Sequence, residues 1–559
     1  MSRNFLLALA LGAAGACASR SDEPVPVASL PDVDTSTVLV DIGTLSSDEF
    51  QGRLPGSRGE ELTVAYLVDR FKAAGLQPGN PDGSWTQRVP LVSLTPEFSG
   101  PLVVRKNGAT QSFALQEEFV PFSLQVTDEI ALRSSEMVFV GYGVQAPEFQ
   151  WDDYKGVDVT GKTLVMLVND PPVPDPSNAD ALDPSVFGGK AMTYYGRWTY
   201  KYEKAAELGA AAAIIVHNTE QAGYPWGVVL GFSGEAFNLI TPDRNMGRAK
   251  VQSWISEDAA RRLFQFGGQD FSALKGRAAT REFQPVPLAL TASFSMKQRM
   301  KEIASQNVIA KLPGADPVVA DEYVVFSAHW DHLGVGEPKD GDRIYNGAAD
   351  NASGTATMLE IARKMTRITP PPRRTILFLA LTAEEQGLLG SEYYAKYPPY
   401  PLSRTLAAIN LDDNLPLWGR TKDIIVIGLG ASELDDYLRD AAAEQGRMLV
   451  PDAEPEKGFY YRSDHFNFAK VGVPALDVDD GLDYIGKPSD FGRTRKDEYT
   501  SEHYHSPSDE VDPNWDLSGL AEQAKLLMAV GYRLAQAEEF PEWRSGNEFK
   551  AIRDKAMEK

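Results

Sequence analysis

The chain has almost no cysteine, fewer basic than acidic residues, and no internal apolar run long enough to cross a bilayer. Cys17 is the only cysteine among 559 residues, so intramolecular disulfides and thiolate metal sites are excluded. Any zinc or iron would therefore be held by His, Asp and Glu. Lys and Arg number 55 against 78 Asp and Glu, which gives a net charge of −23. This charge argues against nucleic acid or an anionic membrane surface as a partner.

The first residues have the features of an export signal. Arg3 precedes the apolar stretch from Phe5 to Gly15, and we interpret residues 1–18 as a signal peptide. Ala14-Gly15-Ala16-Cys17 resembles a lipoprotein cleavage site, whereas Ala16-Cys17-Ala18 also fits an ordinary cleavage site. Both interpretations stay open. We expect an exported protein that is secreted, periplasmic or an outer-membrane lipoprotein, with a lipid on Cys17 as its only link to the membrane.

The rest of the sequence divides into four segments that differ in composition and in the pattern of apolar residues. Residues 19–36 are rich in Ser, Pro and Asp and are predicted to be a tether. Residues 37–130 begin a folded domain, and residues 131–290 form a smaller, β-rich α/β insert. In residues 291–559, apolar strands alternate with amphipathic helices. This alternation predicts an α/β fold, in which a mostly parallel central sheet is covered by helices on both faces.

The predicted elements of the last segment can be placed on the sequence. The strands are Tyr323–Ala328, Thr375–Leu381, Thr405–Leu411, Ile424–Ile427 and Pro474–Val478. The helices are Ala352–Thr366, Glu385–Tyr394, Glu433–Glu444 and Leu517–Ala535.

Imidazoles and carboxylates follow these strands at the points where the strands end. They converge on the carboxyl edge of a parallel sheet, where such folds bind ligands. This placement suits a metal site with nitrogen and oxygen ligands. The residues concerned are His329, Asp331, His332, Asp350, Glu384, Glu385, Asp412, Asp413, Asp464, His465, His503 and His505.

Six motifs occur in order along the chain. They read A-H-W-D-H-L-G, A-D-N-A-S-G, E-E-Q-G-L-L-G-S, N-L-D-D, S-D-H-F-N-F-A and Y-H-S-P-S-D. With this set, roughly residues 37–130 and 295–540 resemble the dizinc metallopeptidase family of the bacterial secreted aminopeptidases, glutamate carboxypeptidase and the transferrin receptor. The insert resembles the protease-associated domain that many members carry. The resemblance implies the zinc-peptidase fold and two Zn²⁺ ions per chain.

The resemblance also implies roles for individual residues. Asp350 would bridge the two ions, and the peptide bond after it would be cis. Glu384 would be the general base, and Asp331 would steady the first histidine. The remaining implied ligands are His329 and Asp412 on the first ion, and Glu385 and His505 on the second. Tyr504, beside His505, is a candidate donor to the oxyanion of the tetrahedral intermediate.

Several neighbours compete with these assignments. Asp413 is the alternative to Asp412, although the register of Asn410-x-Asp412 favours Asp412. His332 and His465 are interpreted as hydrogen-bonding or packing residues around the site, and His503 as a rim residue.

We therefore expect a zinc-dependent aminopeptidase that acts on peptides with a free N-terminus. A carboxypeptidase of the same fold is one rival, in which Arg462 or Arg493 would hold the terminal carboxylate. A glutaminyl cyclase with a single zinc is the second rival, and a non-catalytic peptide-binding relative is the third.

Overall fold

A computed structural model of the chain describes residues 25–412 and 416–558, the side chain of Ala179 excepted. The predicted signal peptide with Cys17, the first part of the predicted tether, and Asp413 lie outside the described residues. The elements before the insert are α1 (Thr35–Leu45), α2 (Arg58–Ala73), β1 (Gln77–Pro78) and β2 (Thr86–Phe98).

The insert contains short strands and five helices among the described residues. Its strands are β3 (Leu102–Lys106), β4 (Ala109–Phe113), β5 (Phe119–Phe122), β6 (Glu129–Phe139), β7 (Gln145–Ala146), β8 (Trp151–Asp152), β9 (Thr163–Leu167), β10 (Pro174–Asp175), β11 (Asn178–Leu182), β12 (Ala212–His217), β13 (Ala236–Leu239) and β14 (Val251–Ser256). Its helices are α3 (Trp198–Glu207), α4 (Thr219–Ala222), α5 (Trp226–Val229), α6 (Glu257–Gly267) and α7 (Phe271–Ala278).

The long strand β15 (Val286–Leu312) leads from the insert into the last segment. The strands that follow are β16 (Tyr323–His329), β17 (Gly334–Lys339), β18 (Asp342–Tyr345), β19 (Thr375–Leu381), β20 (Thr405–Asn410), β21 (Asp423–Ile427), β22 (Met448–Pro451) and β23 (Ala475–Asp480). The helices are α8 (Gly354–Met365), α9 (Leu389–Lys396), α10 (Leu434–Glu444), α11 (His465–Lys470), α12 (Phe491–Glu498), α13 (Ser518–Gln536) and α14 (Lys550–Met557).

The sheet of this segment is mixed, with a parallel centre. β16 pairs in parallel with β19 and β20, and β20 pairs in parallel with β23. β15 is antiparallel to β19, and β21 is antiparallel to β23. The central strands are buried along their length, because α8 and α13 pack on one face and α11 on the other. The predicted α/β class, with helices on both faces of a mostly parallel sheet, is confirmed.

The insert begins earlier in the chain than the sequence predicted. Leu102, Val104, Phe113 and Phe119 pack in the apolar cluster of the insert, together with residues such as Phe264. The boundary therefore lies before β3 rather than at residue 131. The sequence missed this because short alternating strands have the same pattern whichever core they join. The likeness of the insert to a protease-associated domain stays a prediction.

The described part of the predicted tether is folded onto the last segment. Val27 and Leu30 are buried in the main core, and the Val27 amide donates to Glu444 Oε2 at 2.7 Å. Arg533 Nη2 donates to the Val25 carbonyl at 2.9 Å. The tether prediction is therefore wrong for residues 25–36. Within the described ranges, no helix has both the length and the apolar character needed to cross a membrane.

Several contacts between the insert and the last segment lie at residues 455–461. The Met192 amide donates to the Pro455 carbonyl at 3.1 Å, and the Tyr194 ring lies 6.2 Å from that of Tyr461. Glu548, from the C-terminal part, accepts from the Tyr461 hydroxyl at 2.8 Å and from the Tyr194 amide at 3.1 Å. One carboxyl group thus links three parts of the chain.

This junction predicts a pH-dependent stability. Burial raises the pKa of the Glu548 carboxyl from 4.5 to about 8, although the Tyr461 hydroxyl opposes the shift. Between pH 4.5 and about 8, the folded state therefore keeps a proton on Glu548 that the unfolded chain has released. The free energy of unfolding falls as pH rises through this range. We expect Glu548→Gln, which cannot ionise, to flatten the fall of the melting temperature over this range.

The measurement is the melting temperature of both proteins from pH 5 to 8.5 in steps. Glu542→Gln, at an exposed carboxylate of the same segment, is the matched control. Equal pH slopes for wild type and Glu548→Gln would contradict the assignment.

Candidate metal centre

The strand register brings the predicted ligands to one edge of the sheet. His329, the last residue of β16, lies opposite Leu381, the last residue of β19. Ser327 of β16 lies opposite Asn410, which ends β20. The residues that follow these strand ends therefore meet, as the parallel arrangement predicts.

His329, Asp412 and Asp350 form one set of donors. His329 Nε2 lies 2.9 Å from Asp412 Oδ1 and 3.3 Å from Asp350 Oδ1. Zinc ligands at about 2.0–2.1 Å in a tetrahedral site are separated by roughly 3.3 Å. All three side chains are buried, and together they are spaced to hold one metal ion.

His505, Glu385 and Asp350 form a second set with the same spacing. His505 Nε2 lies 3.0 Å from Glu385 Oε2 and 3.3 Å from Asp350 Oδ2. Asp350 thus gives Oδ1 to the first set and Oδ2 to the second. The donors are two imidazoles and three carboxylates, which are ligands that zinc accepts.

Asp509 holds Asp350 in this position through the backbone. Its two carboxylate oxygens accept from the amides of Ala349 at 2.9 Å and Asp350 at 3.0 Å. The peptide bond between Asp350 and Asn351 is cis, as the resemblance predicted. Because Asp509 lies four residues after His505, the same loop carries one candidate donor and fixes the Asp350 carboxylate, which the two sets share.

Glu384 and Glu385 lie in a turn rather than in a helix. The predicted helix from Glu385 begins only at Leu389, because Ala383 and Leu388 adopt left-handed φ angles of 54° and 62°. The amides of Gly387 and Leu388 both donate to the Glu384 carbonyl at 2.8 Å. This turn lets the two neighbouring carboxylates face different directions.

The Glu384 carboxylate lies beside the first donor set. Its Oε2 is 3.9 Å from His329 Nε2, and only about a tenth of the side chain is exposed. Burial raises the pKa of Glu384 well above its ordinary value, the His329 imidazole opposes this, and Asp412 and Glu385 add to it. Because it lies beside the first donor set without belonging to it, the Glu384 carboxylate is a candidate proton acceptor.

Asp331 contacts the site differently from its implied role. The atom nearest to His329 Nδ1 is the Asp331 carbonyl oxygen at 3.1 Å, whereas the carboxylate Oδ1 is 3.7 Å away. That carboxylate oxygen accepts from the Glu384 amide at 3.0 Å. Asp331 therefore orients His329 through its backbone and fixes the Glu384 turn through its side chain.

His332 is close enough to the second set to be considered as a ligand. With Asp350 and Glu385 it forms a group that could hold a metal ion. Its Nδ1 is 2.5 Å from Glu385 Oε1 and 3.9 Å from Asp350 Oδ2. The first distance fits a hydrogen bond and the second exceeds the spacing of tetrahedral ligands, so His332 orients Glu385.

The other competing histidines lie outside both donor sets. His465 is buried and its ring packs against Tyr460 at 4.8 Å. His503 is exposed at the rim, where its Nδ1 lies 3.1 Å from the Ser508 carbonyl oxygen. The Tyr504 ring stacks on His505 at 3.9 Å, and the half-exposed side chain lines the cavity of the site.

Arg53 is a site residue that the sequence did not indicate. It is fully buried, and its guanidinium donates to the carbonyls of Trp330 at 2.8 Å and Gly347 at 2.9 Å. It also donates to the carbonyls of Leu45 and Asn346. Arg53 therefore ties together the two backbone segments that carry His329 and Asp350.

Arg53 also supplies positive charge behind the carboxylates. Burial lowers its pKa to about 10, opposed by Asp350, Asp509, Asp331 and Glu385, so it stays protonated at neutral pH. The only sequence feature near Arg53 is the high content of turn residues in its loop, F-Q-G-R-L-P-G-S, which does not identify the arginine as a site residue.

The donor sets open into a cavity of about 770 Å³. His329, Asp350, Glu384 and Asp412 lie at its inner end, and Gly223 of the insert lines one wall. The fold and these donors define the class: an α/β metalloprotein with a centre at the carboxyl edge of its sheet. Residues 307–530 match the sequence profile of peptidase family M28.

Two individual relatives align with different lengths of the chain. Aminopeptidase YwaD of Bacillus subtilis (strain 168) is 25% identical over 359 residues, 63% of this chain and 64% of that protein. Aminopeptidase NAALADL1 of Mus musculus is 34% identical over 131 residues, 22% of this chain and 16% of that protein. The chain thus spans less than two thirds of these relatives.

Among solved structures, the aminopeptidase from Aneurinibacillus sp. strain AM-1 aligns with 90% of this chain and 94% of its own. The identity is 20% and the TM-score is 0.48.

We expect Arg53→Met to weaken metal binding and lower the melting temperature. The substitution leaves four buried carbonyls without their donor, at about 1–3 kcal/mol each if unsatisfied, and removes the charge behind the carboxylates. Titration with Zn²⁺ against a competing chelator measures the affinity, and scanning fluorimetry measures the stability.

Arg374→Met is the matched control, because Arg374 is also buried but lies at the opposite end of the sheet, paired with Glu322. It should lose stability and keep its affinity for zinc. Wild-type affinity in Arg53→Met would refute the role of Arg53 at the centre.

Proposed function

We propose that the protein is an exported zinc-dependent aminopeptidase that removes N-terminal residues from peptides. The observation that carries the proposal is the Asp350 carboxylate, whose two oxygens each lie 3.3 Å from a different imidazole. His329, Asp412 and Asp350 would hold one Zn²⁺ ion and His505, Glu385 and Asp350 a second, and the shared carboxylate would offset the repulsion of the two charges. Export, in secreted or lipid-anchored form, is proposed from the N-terminal signal with Cys17.

When bound, zinc supplies Lewis acidity that polarises the scissile carbonyl and makes a nearby water more acidic. Glu384 Oε2, 3.9 Å from His329 Nε2, is placed to take a proton from the attacking water. Glu384 then gives this proton to the nitrogen of the leaving amine as the C–N bond breaks. The Tyr504 hydroxyl is our candidate donor to the oxyanion of the tetrahedral intermediate.

The charge of the cavity favours a substrate with a free ammonium group. Besides the ligands, its wall includes the carboxylates of Asp452, Asp477, Asp479 and Asp480. Most of its cations are neutralised locally, as in the pair of Arg495 with Glu498 at 2.7 Å.

A carboxypeptidase is the second candidate, because Arg462 also lines the cavity. Its Nη2 donates to the Lys457 carbonyl at 2.6 Å, and its remaining donors could hold a terminal carboxylate. Arg493, the other arginine considered for this role, lines the cavity too and lies 3.9 Å from Asp497.

Blocked peptides distinguish the two candidates. We expect hydrolysis of peptides with a free N-terminus and at least a hundredfold slower hydrolysis after N-acetylation, which removes the ammonium charge. C-terminal amidation, as the control, should have little effect. Chromatography of the products identifies the released residue, and release from the C-terminus would favour the carboxypeptidase.

Glu384→Gln tests the general base. We expect kcat to fall by about 10²–10⁴-fold, because the amide cannot accept the proton, while the zinc content stays unchanged. Metal analysis by mass spectrometry on the assayed sample separates this effect from loss of metal. Glu360→Gln, at a buried glutamate of α8 outside the cavity, is the control variant. Near-normal turnover in Glu384→Gln would contradict the mechanism.

Metal stoichiometry tests the two donor sets. We expect two zinc ions per chain in the wild type and one in His505→Ala, which disrupts only the second set. Asp350→Ala should lower the affinity at both positions, because it removes a donor from each. A single zinc in the wild type would instead favour a cyclase-like site.

A further inference from the structure

The wall of the cavity beyond the metal ligands is formed by two antiparallel strands. Asp477 of β23 lies opposite Ile427 of β21, and Asp479 lies opposite Ile425. Residues directly opposite on neighbouring strands share a face of the sheet, and so do residues two apart on one strand. The four side chains therefore lie on one face, and all four line the cavity that contains the metal ligands.

Asp477 is the deepest carboxylate of this wall and has few partners. Only 3% of the residue is exposed. Its Oδ1 accepts from Asn410 Nδ2 at 3.4 Å, and its Oδ2 lies 3.5 Å from His465 Nδ1. Among the described residues, no lysine or arginine lies within ion-pair distance of it.

The neighbouring carboxylate differs in this respect. Asp479 forms an ion pair with Lys496, so its charge is neutralised within the protein. Lys457 is paired with Glu454 at 2.8 Å in the same way. Asp477 is thus a buried carboxylate on the cavity wall whose charge no basic side chain of the described chain balances.

An uncompensated carboxylate is costly to bury. Burial raises the pKa of Asp477 well above its ordinary value, and the nearby Asp412 carboxylate adds to the shift. A cation that enters the cavity would lower this cost by pairing with Asp477. Ile425 and Ile427, each 7% exposed, supply apolar surface beside it that suits the methylene groups of a long side chain.

We infer that Asp477, Ile425 and Ile427 form a subsite for the side chain of the substrate's N-terminal residue, and that this subsite selects lysine or arginine. The isoleucines pack against the aliphatic stem, and the carboxylate pairs with the ammonium or guanidinium group. The inference rests on the proposed function, because the side chain is positioned by cleavage at the adjoining centre.

The test compares two substrates that differ in charge and little in shape. Arginine 7-amido-4-methylcoumarin and the corresponding citrulline derivative have the same side-chain length, but citrulline is neutral. Because a hydrogen bond to a charged group contributes about 1.5–3 kcal/mol, we expect the wild type to prefer arginine by about 10- to 100-fold in kcat/KM.

Asp477→Asn keeps the shape of the side chain and removes its charge. We expect the arginine-to-citrulline ratio to fall towards one, a change that loss of stability alone would not produce. Asp435→Asn, at a buried aspartate outside the cavity, is the matched control and should keep the wild-type ratio. Metal content is measured for every variant.

The outcomes separate this inference from the proposed function. If the leucine derivative is cleaved and the wild-type ratio is one or less, the subsite is refuted while the aminopeptidase stands. If no aminoacyl derivative is cleaved by the metal-loaded protein, the proposed function fails. An unchanged ratio in folded Asp477→Asn also refutes the subsite. If that variant does not fold, the wild-type ratio and the inhibition of the wild type by free amino acids test the subsite. Stronger competitive inhibition by arginine than by citrulline would support it, and equal inhibition would refute it.

Discussion

The centre depends on one geometric constraint: the Asp350 carboxylate must present one oxygen to each of two imidazoles. The protein meets it by fixing the backbone on both sides of the residue. The Asp509 carboxylate accepts hydrogen bonds from the amides of Ala349 and Asp350, and Arg53 donates one to the carbonyl of Gly347. Asn351 Nδ2 donates to the Leu411 carbonyl at 2.9 Å, which ties the bridging residue to the strand end before Asp412. The contacts of Asp509 and Arg53 hold the backbone around Asp350, so its carboxylate has little freedom to turn.

The same constraint concentrates negative charge where water is largely excluded. Burial alone would lower the pKa of His505, but the Asp350 and Glu385 carboxylates raise this pKa to about 11. Without a metal ion, a proton would thus be drawn to this imidazole. Metal binding must displace that proton, since a ligating imidazole is neutral. The buried charge of Arg53 partly offsets the carboxylates without occupying a ligand position. These groups explain why the site suits small cations, and removing one of them would leave the opposite charge buried without its partner, which is costly.

The sequence predicted the central strands well and showed which candidate donors follow them, because both are local properties. A buried strand such as β16 is an unbroken apolar run, and the residue types that follow it are visible in the sequence. The beginning of α9 was missed, because the left-handed angles of Ala383 and Leu388 depend on contacts made by the turn. Arg53 was missed for a similar reason: its four acceptors are backbone carbonyls, which have no sequence signature. The packing of residues 25–36 and of β3 to β5 depends on distant surfaces that pattern alone does not specify.

A short series of contacts connects the insert to the candidate metal centre. One of its contact regions is residues 455–461, where the Met192 amide donates to Pro455 and a β-carbon at Gly458 would lie 2.7 Å from Met192 Sδ. Two residues beyond this segment, the Ser463 hydroxyl donates to Asp412, a candidate metal ligand. Gly223 of the insert also lines the cavity. The insert therefore contributes one residue to the cavity wall and contacts the segment that leads to Ser463.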